Sequence, residues 1–163
     1  MAIREDLLAL SGELQASCSV LRRIVGFYDT YEVAHSGDGQ TTERAIVLSD
    51  VFVNFYTCAE TAFLRISQLF ENSLDTGKWH RDLLAKMTIS IKGIRERVVS
   101  DETYRELLEL LRFRHFKRYY FQFDYDWDRL ELVRKKYLNA RDRLIAELEH
   151  YVGYLEDLAD ASG

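Results

Sequence analysis

An all-α fold, an antiparallel bundle of three long and two shorter helices forming one domain over residues 1–163, follows from three features of the sequence. Proline is absent and glycine occurs only eight times, so little interrupts helix propagation. Apolar residues recur at alternating spacings of four and three along three long stretches, which is the period of an amphipathic helix. The one stretch that alternates like a strand, Phe121 to Asp126, has no second strand to pair with and reads as an extended connector or a helix end. A chain of this length buries roughly two-thirds of its unfolded surface, so one core suffices without a covalent staple.

Taken in order, Ile3, Leu7, Leu10, Leu14, Ser17, Leu21, Ile24 and Tyr28 form the seam of a helix from about Ala2 to Tyr31. AHSGDGQTT follows, a loop by its Gly37 and Gly39 beside Ser, Asp and Thr. Thr41 or Thr42 caps a second helix, to about Asn72, whose seam is Leu48, Phe52, Phe55, Ala59, Ala62, Ile66 and Leu69. Small Ala59 and Ala62 allow a close neighbour, opposite Ser17 if the two helices are antiparallel. Asp75 or Thr76 starts a shorter helix through WHRDLLAKMTISI, ending near Lys92 and Gly93. Ser100 to Thr103 caps a fourth helix, Asp101 to about Tyr120, with two acids in its first turn. The last helix, about Asp128 to Asp160, is capped by Asp126 or Asp128. It carries Leu130, Val133, Tyr137, Ala140, Leu144, Leu148, Tyr151, Leu155 and Leu158 on one side.

The two cysteines, Cys18 and Cys58, fall inside helical patterns, which suits a reduced, cytoplasmic protein. Acids precede the short apolar run of MAIREDLLAL, and no 18-residue apolar span is present. Neither a signal peptide nor a membrane span is expected.

One stretch, Leu107 to Trp127, concentrates both cations and rings. Arg112, Arg114, Lys117 and Arg118 lie there with no carboxylate between them. The chain as a whole has net charge -5, from 22 basic and 27 acidic residues, so everything outside this cluster carries -9. A polyanion is therefore expected to be drawn to this segment. Wound as a helix, the segment has two apolar sides. Tyr104, Leu107, Leu108 and Leu111, prolonged by His115 and Tyr119, occupy one; Phe113, Phe116 and Tyr120 occupy the other. The second side predicts either a two-fold partner interface or a helix buried on both sides within one bundle.

Other chemistries find little support. The four histidines, His35, His80, His115 and His150, are scattered, with none three or four residues from another His or from a Cys. No metal site and no cofactor is expected. Gly37 and Gly39 lack the Lys and Ser/Thr of a phosphate loop. Asp124, Asp126 and Asp128 do not make a calcium loop, because Arg129 and Lys135 stand where it needs a Gly and an acid. What remains is a basic, ring-bearing helix end. There Arg112, Lys117, Arg118 and Tyr120 can bind phosphates and stack the bases of single-stranded RNA.

WHRDLLAKM, SDETYRELLELLRFRHFKRYYF and the following YDWDRL resemble the HepT-like branch of the HEPN domains, strongly over about Trp79 to Leu132 and by pattern in the flanking helices. The resemblance implies an all-helical homodimer paired with a small nucleotidyltransferase antitoxin, and a metal-independent endoribonuclease acting on single-stranded RNA. It places Arg114 on the family's catalytic arginine and His115 on the polar residue after it. Tyr119 stands where the motif histidine belongs and Phe121 where a tyrosine open to AMP modification belongs. A literal arginine-to-histidine spacing recurs at Arg143 and His150, outside the resembling segment.

The exchange at Tyr119 bears on the chemistry. A phenol of ordinary pKa about 10 is ionised to only ~0.1% at pH 7, which costs roughly 4 kcal/mol if phenolate must act as base. Proton transfer then falls to His115 as base with Tyr119 as proton donor, and Arg114 holds the phosphate. Two functions follow from the sequence: a HEPN-type endoribonuclease, or a non-catalytic dimeric helical module that binds a nucleotidyltransferase or RNA.

Overall fold

The computed structural model of the protein describes residues 3–71, 79–118 and 125–163. Among them are five helices: α1 (Arg4–His35), α2 (Thr42–Phe70), α3 (Trp79–Lys86), α4 (Asp101–Arg118) and α5 (Trp127–Ala161). The fold is all-α, as the spacing predicts. Tyr119, Tyr120 and Phe121, with most of the connector, lie outside the described residues, as do the caps expected at Asp75 and Thr76.

Local sequence sets the helix starts. Thr41 accepts a hydrogen bond from the Arg44 amide at 3.2 Å, and Asp126 accepts from the Asp128 amide at 3.0 Å. Ser100 accepts from the Thr103 amide at 3.2 Å. Each satisfies an amide that the first helical turn leaves without a partner. Gly39, at φ 78°, turns the chain ahead of Thr41. Its carbonyl accepts from the Arg44 guanidinium at 2.6 Å, so this loop is tied back to α2.

Cross-helix contacts fix the directions. From Glu13–Arg65 to Cys58 on the Ser17 carbonyl to Glu32–Arg44, numbers rise along α1 as they fall along α2. The same inverse order holds for α1 with α5, through Ser11–Glu156, Arg22–Glu149 and Asp29–Arg141. It holds again for α4 with α5, through Thr103–Glu147 and Glu106–Arg143. The four longer helices therefore form an antiparallel bundle in the cyclic order α1, α2, α4, α5, with α2 and α5 also touching across the diagonal.

The predicted seams line the core. Leu14, Leu21, Leu48, Phe52, Phe55, Ala59, Ala62, Ile66, Tyr137, Leu144 and Leu148 are fully buried. Cys58 meeting Ser17 next to Ala59 is the close α1–α2 approach that the small residues allow. Tyr137 packs on Tyr28, Phe52 and Phe55 with ring centroids 5.0 to 5.2 Å apart. Both cysteines are free thiols, and burial pushes them up, Cys58 to about 11. No helix of the described residues is long and apolar enough to cross a membrane.

Two expectations are corrected. The third helix stops at Lys86 rather than near Gly93. Arg95, wholly buried, donates to the carbonyls of Lys86, Ile89 and Glu96 and to Glu71, holding residues 87–96 in turns. A cation that satisfies the end carbonyl competes with continued helix, and Thr88, Ile89 and Ile91 are β-branched. The second correction concerns α4. Phe113, expected at a two-fold interface, is buried within the chain and meets Phe52 edge-on at 6.4 Å. Phe116 is half-buried beneath the Arg129 guanidinium, 4.1 Å from the ring centroid. In the described residues α4 is buried on both sides by its own bundle.

Candidate functional site

Burial of Phe113 fixes the rotation of α4 and so turns the next residue, Arg114, toward α2 and the start of α3. Its Nη1 donates to Glu60 Oε1 at 3.0 Å and to Thr57 Oγ1 at 3.1 Å, and its Nη2 donates to Glu60 Oε2 at 2.8 Å. The pair is bidentate, the strong geometry for guanidinium and carboxylate. It is also largely buried, with the Arg114 side chain 11% and the Glu60 side chain 9% exposed. The guanidinium stacks over the Tyr56 ring, 4.8 Å from its centroid.

His80, in the first turn of α3, completes the cluster. Its Nδ1 lies 2.9 Å from Glu60 Oε2 and 3.3 Å from Arg114 Nη2. The Tyr56 hydroxyl is buried, with no hydrogen-bond partner among the described residues. Burial pushes its pKa well above the ordinary phenol value; the neighbouring Glu60 charge adds to this and Arg114 opposes it. Tyr56 and Glu60 are one helical turn apart on α2, so a single face of α2 supplies both the ring under the guanidinium and the carboxylate that grips it.

The arrangement has a definite chemical capacity. A guanidinium carries five N–H donors; three are committed to Glu60 and Thr57. Nε–H has no acceptor among the described residues and the second Nη2–H has only His80 Nδ1, at 3.3 Å; these two donors are the pair a bidentate phosphate contact uses. Alongside stands an imidazole anchored by a carboxylate, the pairing that orients a ring for proton transfer.

The other sequence-derived candidates are dispersed. Arg112 is paired with Glu109 at 2.6 Å on its own helix. His115 is exposed. Arg118 is exposed, and Lys117 lines an apolar groove between α1 and α2 with Phe27, Asp50 and Asn54. Tyr119 and Tyr120 lie outside the described residues. Of the four clustered cations, two are thus neutralised by carboxylates, Arg112 by Glu109 one turn away on its own helix and Arg114 by the distant Glu60; Lys117 and Arg118 keep no such partner among the described residues. The second literal motif is structural: Arg143 ties α5 to Glu106 and Glu102 of α4, while His150 is exposed.

Sequence reasoning named Arg114 but missed Glu60 and Thr57, which stand 54 and 57 residues away. The signal available for Glu60 was a carboxylate at helical spacing from Tyr56 beside the small residues Ala59 and Ala62, where an unpaired charge would be costly.

A family model described as HepT-like protein matches residues 47–155. No curated protein and no solved structure matches the chain. The matched segment takes in α3, α4, most of α2 and of α5, and hence every member of the Arg114 cluster.

Proposed function

The chain belongs to the HepT-like branch of the HEPN domain family, and from that premise we propose that it is the toxin-type partner of a nucleotidyltransferase and cleaves single-stranded RNA without a metal ion. The observation that carries the reading is the Arg114 cluster. Glu60 and Thr57 of α2 hold the guanidinium of α4 in a fixed orientation, with Nε–H left without an acceptor among the described residues and an imidazole from α3 at its side. Cleavage of RNA by its own 2′-hydroxyl needs charge stabilisation at phosphorus and a proton acceptor. Both classes of group are present. Lys117 and Arg118, next along α4, extend the positive charge along which a strand would run, and base stacking falls to Tyr120.

The assay is cleavage of labelled single-stranded RNA in the presence of a chelator. Wild type should cleave. Arg114→Lys keeps a charge against Glu60 but lacks the planar fork, and should lose at least ~10² in kcat, the scale of removing one preorganised donor. Absence of cleavage by wild type, or full activity in Arg114→Lys, overturns the reading. Co-expression with a nucleotidyltransferase should give a stable complex, and light scattering of the isolated chain should give twice the monomer mass.

The second reading, a non-catalytic interaction module, has one observation in its favour: Arg114 is largely buried and held internally by Glu60. It predicts nucleotidyltransferase binding with no RNA cleavage at any protein concentration.

A further inference from the structure

We infer that His80, oriented by Glu60, is the proton acceptor at the Arg114 site; the inference builds on the RNA-cleavage reading above and assigns it a base. The position that the family pattern gives to a histidine holds Tyr119, and a phenol is a poor base near neutral pH. The fold brings an imidazole from elsewhere. Among the described residues, His80 is the histidine within reach of both Glu60 and Arg114. His35 pairs with Asp38 at the far end of α1, His150 is exposed on α5, and His115 is exposed on α4.

Among the described residues, two groups reach Nδ1 and bear on the tautomer. Ionised Glu60 is an acceptor only and Arg114 a donor only, so Nδ1 bonds to one or the other. The carboxylate is the closer, 2.9 Å against 3.3 Å, which puts the hydrogen on Nδ1 and makes Nε2 the acceptor. The side chain is 36% exposed, so solvent and substrate reach the ring while Glu60, at 9%, stays inside.

In the step itself, Nε2 takes the proton of a ribose 2′-hydroxyl and the 2′-oxygen bonds to phosphorus. The bond from phosphorus to the 5′-oxygen breaks, and that oxygen leaves with a proton from solvent. The products carry a 2′,3′-cyclic phosphate and a 5′-hydroxyl, and the imidazolium returns its proton to water. Glu60, a positioning residue, steadies the imidazolium that forms, and Arg114 meets the charge growing on the phosphate oxygens. Among the described residues, the charged groups on the ring are Glu60 from α2 and Arg114 from α4, with Arg81 and Asp82 its neighbours along α3.

The test compares wild type with His80→Asn, His80→Ala and Glu60→Gln on single-stranded RNA in chelator, with thermal unfolding run in parallel. The Asn amide can still donate to Glu60, so His80→Asn keeps the fold while removing the base. The expected result is a loss of about 10²–10⁴ in kcat for both His80 variants, with little change in KM. Added imidazole should restore part of the activity of His80→Ala. In the wild type, activity should fall on acidification, and Glu60→Gln should move that acidic limb.

Wild-type activity with His80→Asn unimpaired overturns this inference and leaves the Arg114 reading standing. A loss confined to KM, with no rescue by imidazole, also overturns it, because it makes His80 a binding group. A wild type that does not cleave overturns both.

Discussion

The internal grip on Arg114 gives a stability prediction that needs no knowledge of activity. Glu60→Met removes the carboxylate and leaves the guanidinium, 11% exposed, with only Thr57 and the Tyr56 ring as partners. Breaking a buried pair by deleting one member costs ~3–5 kcal/mol. Access to water past the partly exposed His80 places this site at the lower end, about 3 kcal/mol. For a chain of this size that lowers Tm by roughly 6–12 °C. Arg114→Met should cost less, about 2 kcal/mol, because the stranded Glu60 retains His80 and can take up a proton. The double variant replaces a desolvated ion pair with apolar volume and should fall within ~1 kcal/mol of wild type. Urea unfolding of the four proteins at pH 7 then gives a coupling energy of several kcal/mol. Two single variants that each cost under ~0.5 kcal/mol and add independently would refute the reasoning, because that is how an exposed pair behaves.

Three further outcomes are expected. Burial raises the pKa of Tyr56 and Tyr151, that of Tyr137 to about 12 and that of Cys58 to about 11. A raised folded-state value contributes stability that is whole below the unfolded value and is lost as pH climbs past it. Unfolding free energy should therefore be insensitive to these groups up to about pH 8.5, begin to fall there through Cys58, and fall further above about pH 10 through the tyrosines, by about 1.4 kcal/mol per pH unit for a group as buried as Tyr56; equal stability at pH 7 and pH 11 in urea titrations would contradict this. Ala59→Leu, at the close α1–α2 approach, should cost roughly 1–3 kcal/mol by overpacking, read by the same titration. Lys117→Ala with Arg118→Ala should weaken RNA binding and reduce the slope of log K against log salt by about 1.4, the share of two single-strand phosphate contacts, whereas an unchanged slope would place the strand elsewhere.

The long helices were legible because each carries a continuous four-three seam. Leu14, Phe52 and Tyr137 are buried where that spacing puts them. The Asp126 cap and the loop at Gly39 were legible for a similar reason, since both are set by residues within a few positions. What periodicity could not show is which of two apolar sides meets the chain itself. Phe113 reads equally well as an interface ring or a core ring until α2 is known to lie against it. Arg95 and Glu60 share the same difficulty: a charge becomes buried only when a distant partner neutralises it, and nothing local distinguishes it beforehand. The site was therefore half visible. Arg114 stood out by its basic surroundings and by the family resemblance, whereas the carboxylate and imidazole beside it come from α2 and α3.

The most direct measurement is the chemistry of the ends left on RNA incubated with the wild-type protein in chelator. Attack by the neighbouring 2′-hydroxyl at the Arg114 site predicts 2′,3′-cyclic phosphate and 5′-hydroxyl termini, disappearing in Arg114→Lys and in His80→Asn. Intact RNA, or fragments bearing 3′-hydroxyl and 5′-phosphate ends, would contradict it.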